Sequence, residues 1–240
     1  MASATVKADA KYGFEGQARL VPISRPSNAD ENWDKLVNKY KWAQRVHGVK
    51  GLVNAHIECA KVSRTSMYYH VEADNIVDDK FNFTFRPSKW DRDTVHVWRA
   101  KNRVNDLVYG YSGIKLFPTQ KVLDLQGKKV TDFTTSVSDK FKPVQVVASE
   151  VAYDTDPFNT WKAAFRECVK LQSGIIDRQK QKETSERLDV WCSVGNGNMG
   201  AYSIEGARAG KDYAVKNKDH KEALSLINDF EWLQEQFNGI

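Results

Sequence analysis

A chain of 240 residues, 41% hydrophobic and 11% aromatic, has room for one large domain or two small ones. No stretch reaches the apolar length needed to cross a bilayer and the start lacks a signal-peptide core. The three cysteines (Cys59, Cys168, Cys192) make neither a zinc pattern nor a disulfide framework, so a reducing cytoplasm is expected. The formal net charge of +5 permits an anionic partner such as nucleic acid or a nucleotide without requiring one.

Residues 1–16 are rich in Ala, Ser, Lys and Gly with little periodicity and read as a peripheral arm. Residues 18–24 read as a first strand, with Pro22 tolerated at its end. A polar turn over 24–28 follows, then the capping-box pattern Asn28-x-x-Glu31 and a helix with Trp33, Leu36, Val37 and Tyr40 on one face. Strand, polar turn and capped helix make half of a mononucleotide-binding unit, although an ordinary loop and cap account for the same residues. Arg45–His47 is a short second strand, and Gly48-Val49-Lys50-Gly51 opens a second helix carrying Leu52, Val53, His56 and Ala60. The glycines permit close backbone approach and Lys50 adds a positive charge, but the P-loop pattern is absent.

Met67 to Val71 is an apolar run that reads as a buried strand ending in Glu72-Ala73-Asp74, with Asn75 as its turn. On a continuing strand the two acids share a face. A pair of carboxylates at a strand end suits a hard divalent cation that also holds a diphosphate. For the motif taken in isolation, an acidic turn after a strand is the better reading.

Phe81-x-Phe83-x-Phe85 and Thr94–Trp98 alternate as half-buried strands do, and Asn102–Asp106 is a loop between them and Val108–Phe117. Gly110 and Gly113 in that last segment mark bulges or places where a ligand meets backbone. Residues 118–150 hold short strand-like pieces, including Val144–Val147. Asp156 and Pro157 are start signals for a helix that turns Trp161, Ala164, Phe165, Cys168 and Leu171 inward, with Arg166 and Glu167 as polar neighbours. Lys180–Arg187 reads as a solvated charged segment, and helices over 200–216 and 220–237 close the chain. The organisation expected is an arm (1–16), an α/β part (17–150) and a helical part (151–240) packed on the same domain.

His47-Gly-Val-Lys-Gly through Glu72-Ala-Asp resembles GT-A glycosyltransferases. Ser27-Asn-Ala-Asp-Glu-Asn-Trp33, Val95-His-Val-Trp-Arg99, Gly110-Tyr-x-Gly-Ile-Lys-Leu-Phe117, Asp156-Pro-Phe-Asn-Thr-Trp161 and Ala164-Phe-Arg-Glu-Cys168 together look like a glycosyltransferase-like family of tailed phages. The resemblance implies an α/β fold with a GT-A-like, Rossmann-type mixed sheet and helical C-terminal part. It further implies sugar transfer, arabinose first and glucose second, from a UDP-sugar to 5-hydroxymethylcytosine in double-stranded DNA, in the cytoplasm of an infected bacterium and without a membrane partner.

On that resemblance, Glu72 and Asp74 stand where a D-x-D motif holds Mn²⁺ or Mg²⁺, with Glu in place of the first Asp. Ser24, Arg25, Asn28, Lys50, Gly51, Gly110 and Gly113 would contact the donor. Asp154, Asp156 or Glu167 would serve as catalytic base, with Asp156 equally readable as a helix cap. Arg99, Lys101 and Arg103 would contact DNA phosphates, a solvated basic loop being the plainer explanation. His96 and His220 are both open as a third metal ligand. A non-DNA acceptor, or a non-catalytic module that binds nucleotide sugar or DNA, would use the same fold.

Overall fold

The computed structural model describes residues 3–6, 28–128, 130, 132–175 and 180–239. The expected strand 18–24 and the donor candidates Ser24 and Arg25 lie outside the described residues. The chain divides into two compact units, one made of Met1–Lys101 and Val108–Val151, the other of Asn102–Leu107 and Ala152–Ile240.

The first unit is a mixed α/β body. Its elements are β1 (Ser3–Val6), α1 (Ala29–Lys39), β2 (Gln44–Arg45), α2 (Leu52–Val62), β3 (Met67–Glu72), β4 (Asn75–Val77), β5 (Val95–Asn102), β6 (Val108–Tyr109), β7 (Lys115–Pro118), α3 (Thr119–Leu123), α4 (Phe133–Val137) and β8 (Phe141–Val151). The sheet runs in the order β2-β1-β3-β7-β5-β8-β4, with β6 beside β5. β3 pairs antiparallel with β1 and with β7, and β7 antiparallel with β5. Residues 3–6 of the expected arm are therefore sheet, as β-branched Thr5 and Val6 favour.

Both faces of the sheet are covered, which is why β3 reads as one unbroken apolar run. Met67, Tyr69, Val71 and Ala73 join Leu36 of α1 and Trp98 of β5 in one cluster. Tyr68 joins Ala55, Cys59 and Ala60 of α2 and Phe117 of β7 in the other. The alternation of β3 thus sorts its residues by parity: odd positions toward α1, even positions toward α2.

Three local expectations are corrected. Phe81–Phe85 is not a strand: Phe83 has φ +51°, which no ladder accommodates, and its ring packs edge-on against Tyr40, Tyr69 and Phe81. The capping box at Asn28 does not form. Asn28 makes no side-chain cap bond, and Glu31 pairs with Lys35 at 2.6 Å one turn along. Asn75 is not a turn residue but the first residue of β4, the turn being Ala73–Asp74.

The second unit is helical: α5 (Pro157–Ser173), α6 (Gln181–Ser193), α7 (Gly200–Lys216), α8 (Lys221–Ser225), a 3-10 turn (Leu226–Asn228) and α9 (Phe230–Asn238). The charged 180–187 segment is thus largely the first half of a helix. The helix expected over 220–237 is broken because Asp229 starts a new one, accepting from the backbone N–H groups of Glu231 and Trp232. α7 lies close against α5 through Gly206 and Gly210: a Cβ at either would sit 2.3 Å from the carbonyl oxygen of Trp161 or Phe165. Trp161, Phe165, Val169, Ala214, Ile227 and Leu233 form this unit's core.

Candidate functional site

The parity of β3 builds the site. Tyr68, His70 and Glu72 are its even positions, and antiparallel register sets Tyr68 opposite Phe117 and His70 opposite Lys115 of β7. Glu72 is two residues beyond His70 on the same face, diagonal to Lys115 and within reach of a long side chain. Lys115 Nζ donates to Glu72 Oε1 at 2.8 Å, and the two side chains are only 7% and 12% exposed. Ser112 Oγ donates to Glu72 Oε2 at 3.1 Å, and Lys115 Nζ also reaches the carbonyl oxygen of Gly113 at 3.0 Å. Burial alone would raise the Glu72 carboxyl. The Lys115 ammonium outweighs it, by charge and by hydrogen bond, and holds Glu72 well below the usual carboxylate range.

β3 stops at Glu72, so Asp74 reaches the site from the turn rather than by strand alternation. Asn32 Nδ2 of α1 holds that turn by donating to the Ala73 carbonyl at 2.8 Å. Buried Asn75 ties the end of the turn to its neighbours: its Nδ2 donates to the Ser112 carbonyl at 2.9 Å and to Asp74 Oδ1 at 3.2 Å, and Ser149 Oγ of β8 donates to its Oδ1 at 2.5 Å. Burial, then the negative charge of Glu72, pushes the Asp74 carboxyl up to about 7. Among the described residues only Asn75 donates a hydrogen bond to it. One carboxylate is thus neutralised by a lysine, while its neighbour is held near the point where it carries a charge at neutral pH.

Behind this pair the His56 ring of α2 lies tilted against His70, centroids 4.2 Å apart, and stacks on Phe133 at 3.8 Å. Both imidazoles are buried, and among the described residues Nδ1 of His56 and both ring nitrogens of His70 find no hydrogen-bond partner. Burial foremost drives His56 down to about 3 and His70 well below the ordinary histidine value, so both are neutral.

The donor candidates divide. Gly48 and Gly51 adopt φ +76° and +91°, the backbone freedom their sequence implied, and Lys50 between them is exposed. At Gly113, and less closely at exposed Gly110, the protein itself lies against the backbone where donor contact was expected. A Cβ on Gly113 would lie 2.1 Å from the Trp98 carbonyl oxygen, and one on Gly110 would lie 3.1 Å from Val97 Cγ1. These glycines serve the close approach of the 110–113 turn to β5. Asn28 stands at the start of α1.

Arg99 and Lys101 are exposed and alternate with buried Ala100 and Asn102, so they share one face of β5. Arg103 belongs to the second unit, where its guanidinium donates twice to Asp154 Oδ1, from Nε at 3.1 Å and from one terminal nitrogen at 3.0 Å. Two acids expected as bases have structural duties there. Asp154 holds Arg103. Asp156 caps α5 as its sequence allowed, accepting from the Asn159 backbone N–H at 2.7 Å. Glu167 and Arg166, expected beside an apolar face, are themselves buried. Arg166 Nε donates to the Ile227 carbonyl at 2.7 Å. His96 is buried against Phe85, their ring centroids 5.1 Å apart, and His220 lies at the start of α8.

Lys115, Ser112 and Asn75 are the members of this cluster that sequence reasoning did not assign to it. A lysine inside the apolar run Ile114-Lys115-Leu116-Phe117 was the available signal, since a buried ammonium needs a carboxylate partner. Among the described residues no group of three His, Cys, Asp or Glu side chains gathers as a metal cage. No described helix is long and apolar enough to cross a membrane. Comparison with protein-family models, with curated proteins and with solved structures finds no match for this chain.

Proposed function

We propose that the chain is a glycosyltransferase that moves a sugar, arabinose by first choice, from a UDP-sugar to the hydroxymethyl group of 5-hydroxymethylcytosine in DNA, with Asp74 as its cation ligand and a GT-A-like arrangement of the first unit. The observation that carries the reading is the state of Asp74. It stands just past the end of an inner strand, with its charge disfavoured by burial and by Glu72. A divalent cation relieves both costs. The donor set fits Mn²⁺ or Mg²⁺ in the manner of phosphate-handling sites, where one or two carboxylates share the ion with substrate phosphates and water. In that role the ion would neutralise the departing diphosphate.

The remaining residues supply position. Lys115 and Ser112 occupy both oxygens of Glu72, so Glu72 acts on Asp74 through its charge and orders the 112–113 turn. Asn75 orients the Asp74 carboxyl. The turn at Lys50, with its positive-φ glycines, offers backbone and an exposed ammonium to a nucleotide. Arg99 and Lys101, side by side on one face, suit phosphate contacts.

The test is nucleoside mass spectrometry after incubation with a panel of UDP-sugars, Mn²⁺ and duplex DNA with or without hydroxymethylcytosine. A pentose or hexose mass gain is expected on hydroxymethylated DNA alone, and Asp74→Ala should abolish it. No gain with any donor, or equal gain with Asp74→Ala, sinks the proposal. A non-catalytic nucleotide-sugar or DNA-binding module is the second reading, favoured by the saturation of Glu72 by Lys115 and Ser112. It predicts DNA retention that survives Asp74→Ala.

A further inference from the structure

The second unit holds a thiol pair that the sugar-transfer reading does not use. Cys168 lies on the inner face of α5, fully buried, and Cys192 lies near the end of α6 at intermediate exposure. They are 24 residues apart in sequence, yet the packing of α5 on α6 brings the Cys168 thiol into a hydrogen bond with the Cys192 sulfur. The α6 end is held from α7, where Arg208 Nε donates to the Cys192 carbonyl oxygen at 3.0 Å. The charged groups around the pair are Arg208 and Lys211 on α7, Asp189 on α6 and Glu167 on α5. Lys211 acts on both sulfurs and Arg208 on Cys192.

We propose that Cys192 and Cys168 form a peroxide-responsive pair, in which Cys192 is oxidised first and Cys168 resolves it to an intramolecular disulfide joining α5 to α6.

The chemistry follows from the asymmetry of the two sulfurs. The hydrogen bond from Cys168, with Lys211 and Arg208, brings the Cys192 thiol down to about 7, while burial keeps Cys168 protonated. The Cys192 thiolate attacks one oxygen of hydrogen peroxide. The S–O bond forms, the O–O bond breaks, and the departing hydroxide takes a proton from solvent to leave as water. Sulfur has lost two electrons and the peroxide has gained them. The Cys168 sulfur then attacks the Cys192 sulfenic acid. The S–S bond forms, the S–O bond breaks, and the hydroxyl leaves as water with the Cys168 proton. The closed position of Cys168 favours this second step over a competing external thiol.

The test uses the full-length protein, reduced, freed of reductant and exposed to a few equivalents of hydrogen peroxide. The expected product loses two hydrogens in intact mass, yields one Cys168–Cys192 cross-linked peptide in a non-reducing digest, and returns to the starting mass with dithiothreitol. Cys59, fully buried in the first unit, should remain a free thiol throughout. Before oxidation, iodoacetamide should label Cys192 at pH 7 roughly threefold faster than an unperturbed cysteine. The gain in thiolate fraction is partly offset by the lower nucleophilicity of a more acidic thiol. In Cys168→Ser the sulfenic acid at Cys192 should persist long enough to be trapped by dimedone. The wild-type peptide map decides the matter even if that variant does not fold. Carriage of Cys192 to sulfinic acid without a cross-link, or both thiols left unreacted, overturns the proposal.

Discussion

Lys115 Nζ and Glu72 Oε1 meet at 2.8 Å across two antiparallel strands, almost out of contact with water. Removing one partner of such a pair strands the other charge in the core, which costs about 3–5 kcal/mol. Lys115→Met is therefore expected to destabilise the first unit by that order in urea unfolding. Combining it with Glu72→Gln should restore most of the loss, because neither charge is then left behind. Additive losses in the double variant would show that the two side chains do not depend on each other.

Cation binding at Asp74 should depend on pH. The carboxyl must lose its proton to bind a metal, and burial together with Glu72 keeps that proton on up to about 7. Mn²⁺ affinity should rise roughly tenfold per pH unit below 7 and level off above it, and Asp74→Asn should abolish binding. Calorimetric titration at pH 6, 7 and 8 checks this; a flat profile would remove Asp74 as the ligand.

Stability should fall as the solution is acidified from neutrality, and the histidine pair is the cause. His56 and His70 stay neutral when folded but take up protons once unfolded, below about 6.5. Their contribution is complete above that value and is lost as pH falls below it, down to about 3 for His56, at up to about 1.4 kcal/mol per pH unit for each. Asp74 works the other way. Its folded carboxyl keeps a proton that the unfolded chain has released, so acidification from about 7 toward 3.8 favours the fold at this group. Asp74→Asn should therefore steepen the loss of stability between pH 7 and pH 5. Urea midpoints of both proteins across that range give the answer, and parallel slopes would contradict it.

Gly206→Ala and Gly210→Ala should each destabilise the helical unit. The added carbon would meet a backbone carbonyl oxygen at 2.3 Å, and no rotamer can move it away. A cost of about 1–3 kcal/mol or more is expected from forcing α7 off α5. Thermal unfolding followed by circular dichroism reads it, and an unchanged midpoint would mean that the helices separate freely.

Asp156→Ala should remove the cap of α5 and cost about 1 kcal/mol, with Asp156→Asn restoring most of it. If sugar transfer is established, a turnover that follows the stability loss and recovers in Asn marks a cap. A rate that stays lost in Asn marks a base.

The sequence by itself determined the elements whose signals are local. β3 is an apolar run bounded by polar residues. The start of α5 is a cap followed by proline, and α1 carries a 3.6-residue apolar stripe. Local chemistry misled where packing outweighed it. Phe81–Phe85 alternates like a strand, yet aromatic packing around Phe83 holds a backbone angle that no strand allows. Only the tertiary structure decided what the acidic motif means, because the partners of Glu72 come from 40 and 43 residues away, and register rather than spacing brings them together. The same holds for Cys168 and Cys192, which no zinc or disulfide spacing marks as a pair. Side-chain charge is written in the sequence, but the burial and neighbours that set its energy are fixed by strand pairing and helix packing across long stretches of chain.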